Sequence, residues 1–161
     1  MKNNTDNKSP MDWALYYLSF RARTAREMEN YLDDKQFGEV EVYDCVERLK
    51  ELGLIDDEKF AKDFVSTRLA SKAVSKRHLR EQLCAHFVSR DVIDTVLESI
   101  PDDTELNNAV NLAKKYYRQL ASLPDDEREQ RVMQRLQRRG YSLEMIKHAI
   151  SLADKEAENE E

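Results

Sequence analysis

The sequence predicts an all-α fold in which three tandem three-helix repeats form an elongated, curved array. The chain of 161 residues contains only three glycines and three prolines, whereas average usage would give about 19 of the two together. Apolar residues recur at helical spacing, and one sequence pattern returns twice at intervals of roughly 50 residues. The shortage of glycine excludes turn-rich β folds and doubly wound α/β folds, which need it at their turns.

Residue types that start helices stand before each predicted helix. Ser9 precedes Pro10, and proline is favoured at the first helical position. Thr24 and Glu27 match a capping box, in which a hydroxyl and a carboxylate satisfy exposed amides reciprocally. Acidic or hydroxyl residues introduce the later helices in the same way: Asp56, Asp57, Ser75, Ser89, Asp102, Asp103, Asp125 and Ser142.

Glycine after a periodic stretch predicts a helix end, because glycine accepts the left-handed backbone conformation. Gly38, Gly53 and Gly140 stand in such places. Together the start and stop signals predict nine helices, at 10–23, 24–36, 39–52, 57–71, 75–87, 90–99, 103–122, 126–139 and 142–153.

One pattern aligns three repeats. The middle helices match at offsets of 51 and then 53 residues, through the sets Thr24/Met28/Leu32/Phe37, Ser75/Leu79/Leu83/Val88 and Arg128/Val132/Leu136/Tyr141. A bundle of about 45 residues has a small core, so we expect neighbouring repeats to pack against each other and stabilise each other. The predicted organisation is a flexible N-terminus at 1–9, repeats at 10–55, 56–101 and 102–153, and an acidic disordered tail at 154–161.

The formal net charge of −6 is unevenly distributed. Residues 27–63 carry 13 acidic and 5 basic residues, whereas residues 66–90 carry 6 basic and 1 acidic and residues 114–139 carry 8 basic and 4 acidic. Two interpretations stay open. The blocks are either a solvated helical surface with local salt bridges, or acidic and basic faces meant for a mixed-charge or polyanionic partner.

Catalysis finds little support in the sequence. Motifs that cradle phosphate, present a nucleophilic serine or bind a catalytic zinc ion are absent. His78, His86 and His148 lack a second ligand at metal spacing, so we interpret them as structural. The pair Asp56 and Asp57 is interpreted as a helix cap. We therefore predict no enzyme, no cofactor and no metal site.

The remaining chemistry-bearing side chains also have structural interpretations. Cys45 and Cys84 fall on or beside apolar stripes, which favours small core residues over reactive thiols. Trp13, Tyr16 and Tyr17 cluster in the first helix, where a core or interface anchor is favoured over a base-stacking platform. No apolar run reaches the roughly 18 residues of a membrane span, and no CxxC motif or secretory signal is visible. These features predict a soluble cytoplasmic protein with reduced cysteines.

The repeats resemble those of the bacterial RecX family of recombination regulators, from about Trp13 to Leu152. The segments that carry the resemblance are Ala14-Leu15 with Leu18, Arg21–Met28, Gly53–Ala61 with Arg68, Ser75–Leu83, and Arg138–Ser142 with Ile146. Thr24 replaces the usual serine and Met28 the usual leucine. His86-Phe87-Val88 stands where the family often has a basic residue and glycine, so we expect the second repeat to end its middle helix differently.

The resemblance implies a negative regulator of RecA, the recombinase that polymerises on single-stranded DNA. A family member would lie along the RecA filament, limit its growth, and suppress strand exchange and co-protease activity in recombination, DNA repair and the SOS response. The implied partner is the RecA filament, with only weak or indirect contact to single- or double-stranded DNA, and we expect a monomer.

The exposed basic residues are the candidate partner contacts: Arg21, Arg23, Arg26, Arg68, Lys76, Arg77, Arg80, Arg135, Arg138 and Arg139. Arg23 and Arg68 could equally hold the acidic joins between repeats through ion pairs. An alternative function is a helical DNA-binding module of helix-turn-helix type that acts without RecA. The net charge of −6 speaks against it. A third is a helical scaffold for an unrelated protein.

Overall fold

The computed structural model describes residues 8–71 and 73–158, with side chains as far as 155. Over these ranges the chain forms nine α-helices and no strand, which confirms the all-α prediction. None of these helices is both long and apolar enough to cross a membrane. The helices are α1 Pro10–Leu18, α2 Ala25–Asp34, α3 Glu39–Glu51, α4 Asp57–Ser71, α5 Lys76–Ala85, α6 Arg90–Glu98, α7 Asp102–Gln119, α8 Asp125–Arg138 and α9 Leu143–Glu158.

The chain divides into two compact units. The first unit contains the residues up to Asp63 together with Leu83–Ile93, and the second contains Phe64–Gln82 together with the residues from Asp94 onward. Helices α4, α5 and α6 each contribute residues to both units. The repeat boundaries near residues 55 and 101 stay predictions.

The predicted capping residues make the expected hydrogen bonds. The Ser9 hydroxyl accepts from the Asp12 amide at 3.2 Å, and the Asp12 carboxylate accepts from the Ser9 amide at 2.9 Å. The Thr24–Glu27 capping box at the start of α2 is likewise complete. An Asp56 carboxylate oxygen accepts from the Lys59 amide at 2.9 Å. Side chains that accept hydrogen bonds from the first backbone amides therefore determine where these helices begin, as the sequence predicts.

The three middle helices, α2, α5 and α8, end in the same way. The residue just beyond each has a left-handed backbone: Gln36 at φ 65°, Phe87 at φ 60° and Gly140 at φ 88°. Their spacing is 51 and then 53 residues, the offsets of the sequence repeat. Two expectations are therefore wrong. The second repeat ends its middle helix like the others, and Gly38 is the N-cap of α3 (φ −68°) rather than a helix end.

Two helices differ from the prediction by five residues at one end. Helix α1 stops at Leu18 instead of residue 23, and the Ser19 hydroxyl donates to the Tyr16 carbonyl at 2.6 Å, which satisfies a carbonyl of the last turn. Helix α9 continues to Glu158, five residues into the predicted disordered tail. Ala153 is still buried at that point, and the residues after it are mostly good helix formers. Residues 1–7 of the predicted flexible N-terminus and 159–161 of the tail lie outside the described residues.

Apolar residues at helical spacing form a core within each unit. In the first unit α1, α2 and α3 enclose Ala14, Met28, Leu32, Val42, Cys45, Val46, Leu49 and Ile55. In the second unit α7, α8 and α9 enclose a core that includes Ala109, Ala113, Val132, Leu136, Ile146 and Ala149. Cys45 is buried as predicted, and burial raises the pKa of its thiol. Cys84 is exposed, so its assignment to a core was wrong.

The first unit contains a connection between the start of α2 and two later segments, which we call the first joint: Thr24, Ala25, Asp57 and His86. The Thr24 hydroxyl donates to the His86 carbonyl at 2.7 Å, and the Asp57 carboxylate accepts from the Ala25 amide at 2.8 Å. Burial raises the pKa of Asp57, although its bond from Ala25 opposes that shift. In the first joint, Asp57 thus provides the Ala25 amide with the acceptor that this amide lacks inside α2.

The second unit contains an equivalent connection, the second joint: Ser75, Lys76, Glu105 and Arg139. The Ser75 hydroxyl donates to the Arg139 carbonyl at 3.1 Å, and the Glu105 carboxylate accepts from the Lys76 amide at 2.9 Å. Ser75 and Lys76 follow Thr24 and Ala25 by 51 residues, and Arg139 follows His86 by 53. Thr24 and Ser75 are both fully buried, and each acts as a helix cap and a connector.

Candidate partner-binding surface

Arg21, the first predicted contact, is partly exposed but is paired with a largely buried carboxylate. Its guanidinium reaches the two carboxylate oxygens of Glu27 at 2.8 and 3.1 Å and donates to the Ala22 carbonyl at 2.8 Å. Glu27 has a side chain that is only 9% exposed. A two-pronged pair with a buried carboxylate holds the loop before α2 in place.

Three donors converge on the Glu27 carboxylate. Burial by itself raises the pKa of Glu27, but hydrogen bonds from Arg21, His86 and the Thr24 amide outweigh it and lower the pKa to about 2. Nδ1 of His86 lies 2.8 Å from a Glu27 oxygen, and its ring meets Phe60 edge to face. His86 is thus part of the connection around α2, in agreement with the structural role predicted for it.

Arg23 and Arg68 lie over aromatic rings. The Arg23 guanidinium is 3.6 Å from the centre of the Tyr17 ring, which itself stacks on Tyr31 at 3.9 Å. The Arg68 guanidinium is 5.0 Å from the Phe64 ring. Neither arginine makes an ion pair within the described part of the chain, so the ion pairs considered for them do not form there. Cation–π contacts hold both side chains instead.

Three basic residues of the second repeat, Lys76, Arg77 and Arg80, are paired with acids. Lys76 is half-buried, and its ammonium donates to the Ile100 carbonyl at 3.0 Å and to Asp102 at 3.1 Å. Arg77 pairs with Glu81 on the same helix, and Arg80 pairs with Asp94 at 2.6 Å. In the first repeat, Arg26 pairs with Glu29 at 2.8 Å. Local salt bridges therefore engage at least three of the six basic residues of segment 66–90.

The third repeat presents basic side chains together. The Arg135 guanidinium donates to Gln119 of α7 at 3.1 Å and lies 5.2 Å from the Tyr116 ring. Arg138, one turn further along α8, is exposed and has no ion pair among the described residues. The Arg139 side chain is half-buried, and its carbonyl belongs to the second joint.

Two exposed basic residues that the prediction left out extend this surface. On α7, Lys115 is three residues before Arg118 and four before Gln119, so all three lie on one side of the helix or beside it. Neither Lys115 nor Arg118 has an ion pair within the described ranges. The α7–α8 basic ridge is defined as Lys115, Arg118, Arg131, Arg135 and Arg138. Arg131 is the member of the ridge that pairs with an acid, Glu127 of the same helix, at 3.3 Å. Helical spacing in the block 114–139 was the signal that could have identified Lys115 and Arg118.

The described residues contain no group of three or more His, Cys, Asp or Glu side chains arranged to hold a metal ion. His78 lies 3.8 Å from Glu81, its neighbour on α5. Asp56 caps α4 and Asp57 belongs to the first joint. The two carboxylates thus act on two different helix starts, α4 for Asp56 and α2 for Asp57.

Three family models match successive parts of the chain. They describe the first, second and third three-helix domains of RecX, and they match residues 11–49, 56–97 and 103–150 respectively. The matches confirm the prediction of three tandem three-helix units.

Several proteins named regulatory protein RecX are similar to this chain. The one from Mycobacterium avium is 35% identical over 147 residues, which cover 91% of this chain and 84% of the relative. The one from Bacillus pumilus is 31% identical over 156 residues, or 96% of this chain. The chain spans 59% of the length of that Bacillus pumilus relative and 58% of the one from Bacillus subtilis.

Two solved structures have the same fold. The crystal structure of RecX from Lactobacillus salivarius superposes with a TM-score of 0.82 at 23% identity and covers 90% of this chain and 94% of its own. A second structure, of a regulatory protein RecX, gives a TM-score of 0.76 at 26% identity and covers 86% of this chain and 69% of its own.

Proposed function

The chain belongs to the RecX family, and from this premise we propose that it is a negative regulator of the RecA recombinase. In this proposal it binds the RecA filament on single-stranded DNA and limits filament growth. Strand exchange and co-protease activity fall as a result, which restrains recombination, DNA repair and the SOS response. The activity is one of binding, with no chemical step assigned to the chain.

The observation that carries the proposal is the tandem set of three similar modules, matched in order by the three RecX domain models. A protein filament offers the same surface again on each successive protomer. Modules linked in one chain bind such a repeated surface with avidity when they engage it simultaneously.

Within this proposal the α7–α8 basic ridge is the main charged contact. Arg138 and Arg135 are the predicted contacts that it includes, and Lys115 and Arg118 add to them. The side chains of most other predicted contacts have partners inside the chain that favour a mainly structural role: Arg21, Arg23, Arg26, Arg68, Lys76, Arg77 and Arg80. Arg139 takes part in the second joint through its backbone carbonyl, and its side chain is half-buried.

The test measures ATP hydrolysis and strand exchange by RecA on single-stranded DNA as the protein is added. Both rates should fall, and the charge-reversed variant R135E/R138E should need roughly tenfold more protein for the same inhibition, because complementary charges are lost. The matched control is K59E/K62E on α4, which changes the net charge equally at two exposed lysines. Unchanged rates with excess wild-type protein would contradict the proposal.

A second candidate function is DNA binding without RecA, favoured by the same α7–α8 basic ridge. Five basic side chains on neighbouring helices can neutralise backbone phosphates, the interaction that supplies non-specific DNA binding. A titration of labelled DNA at several salt concentrations discriminates between the two. Tight binding whose logarithm falls steeply with log salt, by about 0.9 per phosphate contacted, would favour this function over the RecA filament.

A further inference from the structure

An aromatic strip formed by Trp13, Tyr16 and Phe20 begins on α1 and continues two residues beyond the end of that helix at Leu18. The rings meet edge to face, with centres 6.2 Å apart for Trp13 and Tyr16 and 5.0 Å apart for Tyr16 and Phe20. Tyr16 is 50% exposed and Phe20 is 64% exposed. Trp13 is half-buried and packs against the core of the first unit, as Tyr17 and Leu18 do, whereas Tyr16 and Phe20 are not among the described residues of that core. Tyr16 and Phe20 therefore contribute little to the folded core.

Two cations lie at one end of the aromatic strip. The ammonium groups of Lys8 and Lys35 are 4.9 and 4.3 Å from the centre of the Trp13 ring. Both lysines are exposed, and neither makes an ion pair within the described residues. An acidic group from another molecule can therefore approach them without displacing a carboxylate of this chain.

The geometry favours a protein over nucleic acid as the occupant. Base stacking needs open ring faces along a positively charged groove, but the Trp13 ring is covered by two ammonium groups and Tyr17 is stacked on Tyr31. The segment 27–63 of the same unit has eight more acidic than basic residues, and this charge repels phosphate. Protein interfaces, in contrast, are enriched in anchoring Tyr, Trp and Phe side chains within a polar rim.

We propose that the aromatic strip docks the first unit on a protein surface that has an apolar cleft bordered by carboxylates. Tyr16 and Phe20 fill the cleft, and Lys8 and Lys35 pair with the acidic rim. The inference rests on the proposed function, and on that basis the partner is a protomer of the RecA filament.

The first test compares two variants that each remove an exposed apolar pair from the same unit. Y16A/F20A removes the aromatic strip, whereas V40A/Y43A removes residues of α3 that are 72% and 64% exposed. In co-sedimentation with RecA filaments, Y16A/F20A should bind on the order of tenfold more weakly, as expected for anchor residues, and V40A/Y43A should bind like the wild type. Equal binding by Y16A/F20A and the wild type would overturn the proposal.

The wild-type measurement separates the two claims. If the wild type does not sediment with the filament, the proposed function fails and the RecA partner of the strip fails with it. If the wild type sediments and Y16A/F20A does so equally well, the proposed function stands and only the docking surface fails. Unchanged circular dichroism and urea midpoint for both variants show that a loss of binding is not a loss of fold.

A second test identifies the occupant directly. The photoreactive residue p-benzoylphenylalanine replaces Tyr16 in a purified mixture of the protein, RecA and single-stranded DNA, and the cross-linked product is identified by mass spectrometry. A cross-link to RecA supports the proposal. A product that contains only DNA, or two copies of this chain, overturns it.

Discussion

At the residue scale, Glu27 is the carboxylate on which the start of α2 depends. It receives hydrogen bonds from Arg21, His86 and the Thr24 amide. Replacing it by glutamine removes the charge that holds Arg21, and we expect E27Q to lower the free energy of unfolding at pH 7 by about 2 kcal/mol, the usual size for bonds to a charged group. Urea denaturation measures this loss.

The pH dependence provides a second readout for E27Q. Because the folded pKa of Glu27, about 2, lies below its ordinary value of 4.5, its contribution is complete above the unfolded pKa. The contribution is lost as the pH falls through the folded pKa. The stability difference between wild type and E27Q should therefore shrink between about pH 5 and pH 2. The control E51Q alters an exposed i,i+3 pair, and its stability difference from wild type should be small throughout. A constant difference for E27Q would contradict this account.

Gly140 is required for its space as well as for its backbone angle. A Cβ atom there would lie 2.5 Å from the Ser75 hydroxyl oxygen and 3.2 Å from Cβ of His78. Gly53 also has a positive φ, 69°, but a Cβ atom would meet nothing within 4 Å. We expect G53A to cost about 1 kcal/mol of left-handed strain and G140A to cost clearly more, because it also displaces the second joint. Thermal or urea unfolding of the two variants gives the comparison, and equal losses would contradict it.

At the element scale, Ser75 starts α5 and also connects it to the end of α8. Its hydroxyl oxygen accepts from the His78 amide and its hydroxyl donates to the Arg139 carbonyl, both at 3.1 Å. Ser142 caps α9 through the Met145 amide at 3.2 Å but is exposed. S142A should cost about 1 kcal/mol as a lost cap, and S75A about 1 kcal/mol more for the buried connection. Equal losses in urea denaturation would mean that the connection contributes nothing.

The helices were predictable because their start signals are local. Ser9, Thr24 and Asp56 act within three residues along the chain, so their side chains reveal their role in the sequence. The ends of α2 and α5 were not predictable, because Gln36 and Phe87 adopt a conformation that composition assigns to glycine. Neither glutamine nor phenylalanine is a residue type that indicates a left-handed backbone in a sequence.

The joints could not be predicted for a related reason. Thr24 and Ser75 donate to backbone carbonyls 62 and 64 residues away, and every residue has a carbonyl. The repeat alignment placed the two hydroxyls at equivalent positions but could not identify their acceptors. The same limit applies to Arg80 and Lys76, whose acidic partners, Asp94 and Asp102, lie on other segments. Charge counted along the chain therefore overestimated the basic surface of the second repeat.

At the scale of the whole molecule, we expect the two joints to contribute independently to the free energy of unfolding. Each joint lies within one compact unit, and repeat proteins are stabilised mainly by interactions between neighbours. Ala25 and Lys76 are the first residues of α2 and α5, so their amides have no acceptor inside their own helices. Without another acceptor, these amides would exchange rapidly with solvent. Their acceptors are instead the carboxylates of Asp57 and Glu105.

Amide hydrogen exchange followed by NMR tests this independence. D57A should speed exchange at Ala25 and leave Lys76 protected, and E105A should do the reverse, because each carboxylate serves only its own joint. Leu143 is the first residue of α9, and its amide has no carboxylate acceptor among the described residues. It should therefore exchange fast in the wild type, in D57A and in E105A. If the joints are independent, the double variant should lose the sum of the two single losses in unfolding free energy, to within about 0.5 kcal/mol. A larger departure, or faster exchange at both amides in a single variant, would mean that the joints form one cooperative structure instead of two separate ones.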